Sequence, residues 1–316
     1  MLKPFQVFQV LSLILILAGG CANSAERAPS DKLKITVSIL PQRSFVERVG
    51  GPRVEVNVMV LPGESPATYE PTPAQLRELS EADVYVSIGV PFEDAWLDRF
   101  AAMNDEMMVV DTTQGIERMG DPKAPDPHIW LSPALVKVQI ETITEALVAL
   151  DPAHRNAYRA NFEAFVEEID VLDREIRETL DGVEQRRFMV FHPSWGYFAR
   201  DYGLEMIPIE VGGQEPSAAE LSGVIRLAEE KQVKVVFAQP EFSTRAAETI
   251  AAEIGGEVIL ISPLEEAWLS NMRRVAETFA ERLAAASSSA SAGSVNRGRG
   301  VDWRPSGLPG LCWVPW

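Results

Sequence analysis

Two histidines stand in proline-containing segments that are typical of loops. His128 lies in residues 126–131 (DPHIWL), and His192 follows an apolar run in residues 191–195 (FHPSW). Neutral imidazole is a good ligand for zinc and other late first-row ions. The remaining histidine, His154, falls in the first turn of a predicted helix, where solvent exposure is expected, and we assign it no role. The two loop histidines therefore predict a metal site.

The cysteine content narrows the choice of further ligands. The chain has two cysteines, Cys21 and Cys312, and no CxxC pair, which excludes a thiolate zinc site and a thioredoxin-like dithiol. Carboxylates must then complete a four-ligand site. Glu210 directly follows a predicted strand and is the first carboxylate candidate to join the two histidines. Glu64 and Glu241, in other predicted loops, are weaker candidates.

The charge balance limits the class of partner. The net charge is -17, which disfavours nucleic acid because binding a phosphate backbone requires clustered Lys and Arg. The acidity is compatible with a cationic ligand, and it also serves solubility. A hydrophobic share of 46% and a charged share of 24% are typical of a globular protein, and 316 residues suffice for two domains.

Short β-branched runs alternate with amphipathic segments along most of the chain. This alternation predicts an α/β fold with two Rossmann-like lobes, mostly parallel sheets and helices on both faces. Ligands of such sheets bind beyond the carboxyl ends of the strands, so we expect the two histidine loops, one from each lobe, to face each other across a cleft. Strands are predicted at residues 34–39, 54–60, 84–88, 107–110, 187–191, 205–209, 233–238 and 257–261.

One long helix is predicted to join the lobes. Asp151 is its expected cap and Pro152 stands in its first turn. Apolar residues then recur at steps of three and four from Tyr158 to Leu180, and Gly182 suits a helix end. About 29 residues at roughly 1.5 Å each give a length on the order of 43 Å, enough to span two domains.

The two ends of the chain have a different composition. Lys3, an apolar run and the small residues before Cys21 are typical of an export signal, and they resemble a bacterial lipoprotein cleavage site after which Cys21 carries lipid. The C-terminal residues are rich in Ala, Ser, Gly and Arg and predict disorder. The predicted organisation is a signal peptide (1–20), a tether (21–32), an N-terminal lobe (33–150), the linking helix (151–182), a C-terminal lobe (183–285) and a disordered tail (286–316).

Several motifs, read in order, resemble a known family. The chain is similar to the zinc and manganese substrate-binding lipoproteins of ABC importers, the cluster A-I receptors, over roughly residues 33–285. This resemblance implies a monomer outside the cytoplasm, periplasmic or at the cell surface and anchored through Cys21, that captures zinc or manganese and delivers it to a membrane permease. The motifs are LPG (61–63), TYEPTP (68–73), DPHIWL (126–131), HPSWGYF (192–198), EPS (215–217) and QPEFS (239–243).

The resemblance also implies ligands, and the chain departs from them twice. In the family the metal is usually held by three His and one acidic residue, or by two His and two carboxylates. His128 and His192 match two of the His positions, and manganese-type members place a Glu where Glu210 falls. Ala67, however, stands where a His is common, and Ser262 stands where an Asp is common. We therefore expect an atypical site, with zinc as the first candidate ion and manganese as the alternative.

Two other classes remain open at this point. A metal-dependent hydrolase would use three protein ligands and an open water position. The sequence contains no HExxH, GxSxG or P-loop pattern, so an enzyme is not expected. An adhesin-type lipoprotein with a degenerate metal site is the other alternative, because relatives of the family are described in attachment.

Overall fold

The computed structural model describes residues 32–210 and 213–293, with side chains as far as residue 285. The predicted signal peptide, Cys21 and nearly all of the predicted tether lie outside the described residues, as does the chain from residue 294 onward. Among the described helices, none combines the length and apolar character that crossing a membrane would require.

The N-terminal lobe is built on a sheet of four parallel strands in the order β2-β1-β3-β4. A short antiparallel hairpin, β5 with β6, follows the last strand of this sheet along the chain and precedes the last helix of the lobe. The strands are β1 (Leu33–Val37), β2 (Val54–Val58), β3 (Val84–Ser87), β4 (Met108–Asp111), β5 (Gly120–Asp121) and β6 (Ala124–Pro125). The helices are α1 (Leu40–Gly50), α2 (Pro73–Leu79), α3 (Pro91–Met103) and α4 (Pro133–Leu150).

The long linking helix is α5 (Arg155–Leu180), which has 26 residues and buries the predicted apolar stripe. Its start differs from the prediction. Pro152–His154 form a 3-10 turn before the helix, and Asp151 makes no capping hydrogen bond. The Asp151 carboxylate instead lies 2.8 Å from His154 Nδ1 and accepts a hydrogen bond from the Tyr158 hydroxyl at 2.8 Å. Asp151 is therefore the N-cap residue of the 3-10 turn that leads into α5, but its side chain does not cap the helix, because His154 and Tyr158 contact its carboxylate.

The C-terminal lobe repeats the strand order of the first. Its four parallel strands follow the order β10-β9-β7-β8, so in both sheets the first strand lies between the second and the third. The α/β class with parallel sheets is confirmed, and each of the eight sheet strands begins and ends within two residues of its prediction. The elements are β7 (Arg187–Val190), α6 (Gly196–Tyr202), β8 (Glu205–Pro208), α7 (Ala218–Glu230), β9 (Val235–Ala238), α8 (Arg245–Ile254) and β10 (Glu257–Leu260).

The last helix, α9 (Trp268–Gly293), packs along α5 and contacts both lobes. At its start the Trp268 ring meets Phe45 of α1 edge-on at 5.3 Å. Further along, Phe279 packs against Phe188 of β7 at 4.6 Å and Phe237 of β9 at 4.3 Å. One buried apolar core consequently runs through the first sheet, α5, α9 and part of the second sheet.

Helix α9 also continues into the predicted disordered tail. It runs to Gly293, so the backbone of residues 286–293 is helical where the composition predicts disorder. The physical reason is that alanine has the highest helix propensity, and residues 284–286 are all alanine. The rest of the predicted tail lies outside the described residues.

Candidate metal centre

His192 stands at the carboxyl end of the central strands of the second sheet. It lies two residues beyond the end of β7, and Gln239 directly follows the neighbouring strand β9. The His192 amide donates to Gln239 Oε1 at 3.2 Å, and Gln239 Nε2 donates to the His192 carbonyl at 2.6 Å. The Phe242 ring stacks on the imidazole at 4.7 Å. These contacts fix His192 at the point where the strand order reverses, which is where open α/β sheets bind ligands.

His128 reaches the cleft by a different route. It follows the β5–β6 hairpin and precedes the 3-10 turn Ile129–Leu131, so it does not directly follow a strand of the main sheet. The expectation that both histidines occupy corresponding strand-end loops is therefore wrong for His128. The apolar segment before it forms a two-residue strand, too short for a sequence pattern to show.

The His128 loop is held by the other lobe. The Tyr197 hydroxyl, on α6, donates to the Asp126 carbonyl at 2.9 Å and accepts from the Met119 amide at 2.8 Å. Trp130, two residues after His128, donates from its indole to the Pro263 carbonyl at 2.8 Å. The position of His128 thus depends on contacts between the lobes.

The structure brings the two histidines together. His128 Nε2 and His192 Nε2 are 3.3 Å apart, and each residue is 6% exposed. Zinc binds imidazole nitrogen at about 2.0–2.1 Å in tetrahedral geometry, which requires two ligand nitrogens to be about 3.3–3.4 Å apart. The measured separation therefore fits one ion bound by both Nε2 atoms.

The outer nitrogen of each ring faces a carboxylate. His128 Nδ1 lies 2.7 Å from Asp126 Oδ1, and His192 Nδ1 lies 2.6 Å from Glu210 Oε2. When each Nδ1–H donates to its carboxylate, both Nε2 atoms direct a lone pair at each other. Such lone pairs repel unless a cation or a proton lies between them. A carboxylate behind each imidazole is the arrangement that orients histidine ligands in metal sites.

The surroundings of His192 lower its pKa and so favour the ring form that binds a cation. Burial lowers the pKa of His192, and the neighbouring His128 lowers it further, against the opposing effect of the Glu210 carboxylate. A lowered pKa favours the neutral ring at pH 7. Neutral imidazole is the form that binds metal.

Glu210 lies beside His192, and its predicted role as a direct ligand stays a prediction. Its carboxylate contacts Nδ1 of His192, and the two nitrogens of an imidazole point in diverging directions, so in this arrangement Glu210 faces away from the gap between the Nε2 atoms. The structure places the Glu210 carboxylate as the hydrogen-bond partner of the His192 ring. Throughout the described residues, no three side chains among His, Cys, Asp and Glu converge closely enough to hold an ion.

A pocket with an empty volume of about 410 Å³ adjoins the two rings. Ala67 lines it, so the position where the resemblance implies a third His does face the site. Glu241 also lines it and accepts a hydrogen bond from the Ser262 hydroxyl at 3.0 Å, while burial raises the pKa of the Glu241 carboxyl. Glu64 is exposed and does not line the pocket. Most of the lining is apolar: Pro66, Ala67, Val90, Pro91, Pro127, Trp130, Phe242, Pro263 and Leu264.

Three functional contacts were missed by the sequence reasoning. Asp126 lies two residues before His128, and this spacing is the one signal that could have suggested it as a partner. Gln239 is 47 residues from His192 along the chain, and Tyr197 is 71 residues from Asp126. No local pattern joins residues so far apart, because only the packing of the two lobes brings them together.

Two parallel-sheet lobes joined by a rigid helix, with paired histidines between them, define a binding protein with an interlobe site. The family model for ZnuA, the periplasmic component A of zinc-uptake complexes, matches residues 35–282. The chain therefore belongs to this family, whose members are substrate-binding proteins of metal import, and the predicted resemblance is confirmed.

Individual relatives agree with this assignment. The high-affinity zinc uptake system protein ZnuA of Bacillus subtilis (strain 168) is 27% identical over 84% of this chain and 90% of its own length. The manganese-binding lipoprotein MntA of Halalkalibacterium halodurans is 27% identical over 87% of this chain and 97% of its own. A crystal structure of ZnuA is 50% identical, with a TM-score of 0.78, over 80% of this chain and 100% of that one.

Proposed function

We propose that this protein captures a divalent transition metal between its lobes and delivers it to an ABC permease in the membrane. The observation that carries the proposal is the pair of opposed Nε2 atoms, 3.3 Å apart, in His128 and His192. Their separation suits tetrahedral zinc, and both rings are backed by carboxylates. Membership of a metal-import family supports the same function.

Zinc is the favoured ion because imidazole is a good ligand for it, whereas manganese prefers oxygen ligands. His128 and His192 would bind the ion directly, while Asp126 and Glu210 would hold the rings by their Nδ1 atoms. Two positions of a tetrahedral site then remain for water or for other side chains. Manganese stays the alternative, since a relative is named for binding it.

The family also bears on where the protein acts and how it is organised. We infer an extracytoplasmic receptor that is a monomer, has no catalytic activity and is anchored by lipid on Cys21. The proposed organisation keeps an N-terminal lobe at 33–150, a linker at 151–182 and a C-terminal lobe at 183–285. The periplasmic description of the family supports this location.

The proposal is tested by calorimetry on carefully demetallated protein. We expect the unaltered chain to bind about one zinc, and His128→Ala or His192→Ala to weaken binding by more than about 100-fold, beyond the range typical of losing a ligand's partner. His154→Ala is the matched control, because His154 pairs with Asp151 outside the pocket, and it should bind normally. An absence of heat with both Zn²⁺ and Mn²⁺ for the unaltered chain would contradict the proposal.

A further inference from the structure

The Glu241 carboxylate has an oxygen that the surrounding protein does not satisfy. Glu241 lines the pocket beside His128 and His192. Its Oε1 accepts the hydrogen bond from Ser262 Oγ, whereas its Oε2 is buried and has no hydrogen-bond partner. A buried polar atom without a partner is destabilising, more so when it is charged, so an unpartnered oxygen on a side chain that lines the pocket points to a missing cationic ligand.

The residues on either side of Glu241 contact His192. Gln239, two residues before it, holds the main chain of His192 on both sides. Phe242, the next residue, stacks on the His192 ring. Glu241 therefore belongs to the same short loop that positions a proposed ligand.

The other carboxylates at the rings have different partners. Asp126 lies against His128 and Glu210 lies against His192, each on the outer nitrogen. Among the described residues that line the pocket, Glu241 is the one acidic side chain. It is consequently the acidic side chain that shares the pocket with the two imidazoles.

We propose that Glu241 is the third protein ligand of the metal ion and that Ser262 positions its carboxylate. This inference rests on the proposed function. Because no three donors converge among the described residues, the Glu241 side chain rotates toward the Nε2 atoms when the ion enters. Oε2 then binds the ion while Oε1 keeps the Ser262 hydroxyl, so a single carboxylate oxygen is used and one position stays open to water.

The test uses the chain without its predicted export signal. Titration with Zn²⁺ measures the binding affinity, and the visible absorption of bound Co²⁺ reports the coordination of the ion. We expect Glu241→Gln to weaken zinc binding about tenfold or more and to change the visible absorption bands of bound Co²⁺. The matched control is Glu64→Gln, which removes an exposed carboxylate outside the pocket and should change neither measurement.

A second substitution separates ligation from a structural role. Ser262 Oγ is 3.0 Å from the Glu241 carboxylate, so Ser262→Asp added to Glu241→Gln places a carboxylate near the same point. We expect this double variant to recover affinity and to restore the cobalt bands toward those of the unaltered chain. Ser262→Asp alone is the control: if Glu241 already occupies this ligand position, the single substitution should add little affinity. An equal gain with and without Glu241 would count against its role as a ligand.

The outcomes distinguish this inference from the proposed function. If His128→Ala loses the metal but Glu241→Gln keeps both the affinity and the cobalt bands, the inference is overturned and the proposed function stands. Weaker binding with unchanged bands also overturns it. Failure of the unaltered chain to bind either ion overturns both. If circular dichroism shows Glu241→Gln to be unfolded, Glu241→Ala takes its place, and unchanged cobalt bands in that variant overturn the inference.

Discussion

The pairing of each imidazole with a carboxylate determines what the two histidines can do. A hydrogen bond at Nδ1 fixes the tautomer and turns the other nitrogen inward. Asp126 does this for His128 from two residues away, and Glu210 does it for His192 from 18 residues away. The result is a pair of nitrogen donors that are held in place before any ion arrives.

This role makes Glu210→Gln a specific test. Since the side chain orients a ligand, we expect zinc affinity to fall about 10- to 100-fold while one ion still binds and the cobalt bands keep their shape. Titration calorimetry and absorption spectroscopy measure the two effects. Glu215→Gln, on an exposed loop residue nearby, is the control. A loss of the cobalt bands would instead support the direct ligand role expected from the sequence.

For single residues, the sequence predicts which histidines face the cleft better than it predicts which residues contact them. Only three histidines occur, and loop position separates His128 and His192 from the helical His154. The roles of Glu210 and Glu241 could not be read in the same way, because a carboxylate at a loop end has no pattern that distinguishes a ligand, a ligand's partner and a surface residue. Those roles depend on which atoms meet across the cleft.

Among the elements, the start of α3 contains a buried acid whose ionisation affects stability. The Glu93 carboxylate accepts hydrogen bonds from the Ile88 amide at 3.0 Å and the Gly89 amide at 2.7 Å, and from the Ser38 hydroxyl. Glu93 is 1% exposed, and burial raises its pKa from 4.5 to about 7 despite these donors. The folded protein therefore keeps the Glu93 proton at pH values where the unfolded chain has lost it.

The sign of the resulting pH dependence follows from this difference. The stability that comes from protonated Glu93 is fully present below about pH 4.5 and is lost as the pH rises through about 7. The loss is at most about 3 kcal/mol. We expect Glu93→Gln to flatten the dependence between pH 5 and 8 in urea unfolding. The exposed Glu55→Gln should keep the original slope, and an equally steep slope in Glu93→Gln would count against the prediction.

The elements themselves were largely predictable. The strands are β-branched runs between turn residues, and α4 has a clear cap in Ser132, whose hydroxyl accepts from the Leu135 amide at 3.3 Å. The helices α1 and α3 were not predicted, and neither was α6, whose seven residues make fewer than two full turns and show no helical period. The aromatic residues of α6 pack where the lobes meet, which no local pattern indicates.

Across the whole molecule, the two lobes share one apolar core and are linked by side chains that cross the cleft. The Trp268 indole donates to the Trp130 carbonyl at 2.7 Å, next to the bond from the Trp130 indole to Pro263. Separating the lobes would expose this core and break these buried hydrogen bonds. Hinged closure of the kind that lets lobes swing apart is therefore opposed by the packing.

This packing predicts how the protein responds to its ligand. We expect X-ray scattering of the free and zinc-loaded protein to give the same radius of gyration within error, because the ion enters by small side-chain movements. Trp268→Ala, which removes the contact between α9 and the Trp130 segment, should increase the difference between the two states. A marked compaction of the unaltered chain on loading would show that the lobes move as hinged bodies.

The pocket lined by Ala67 affects how fast the protein can release its bound ion to another ligand. An ion held by two imidazoles and one carboxylate keeps a vacant side toward this space, and zinc accommodates a fifth donor as ligands exchange. An incoming group could then attach to the ion before any protein ligand has left, so exchange proceeds by association. A receptor whose coordination shell was closed by a fourth side chain would first have to break a bond, and it would release its cargo more slowly.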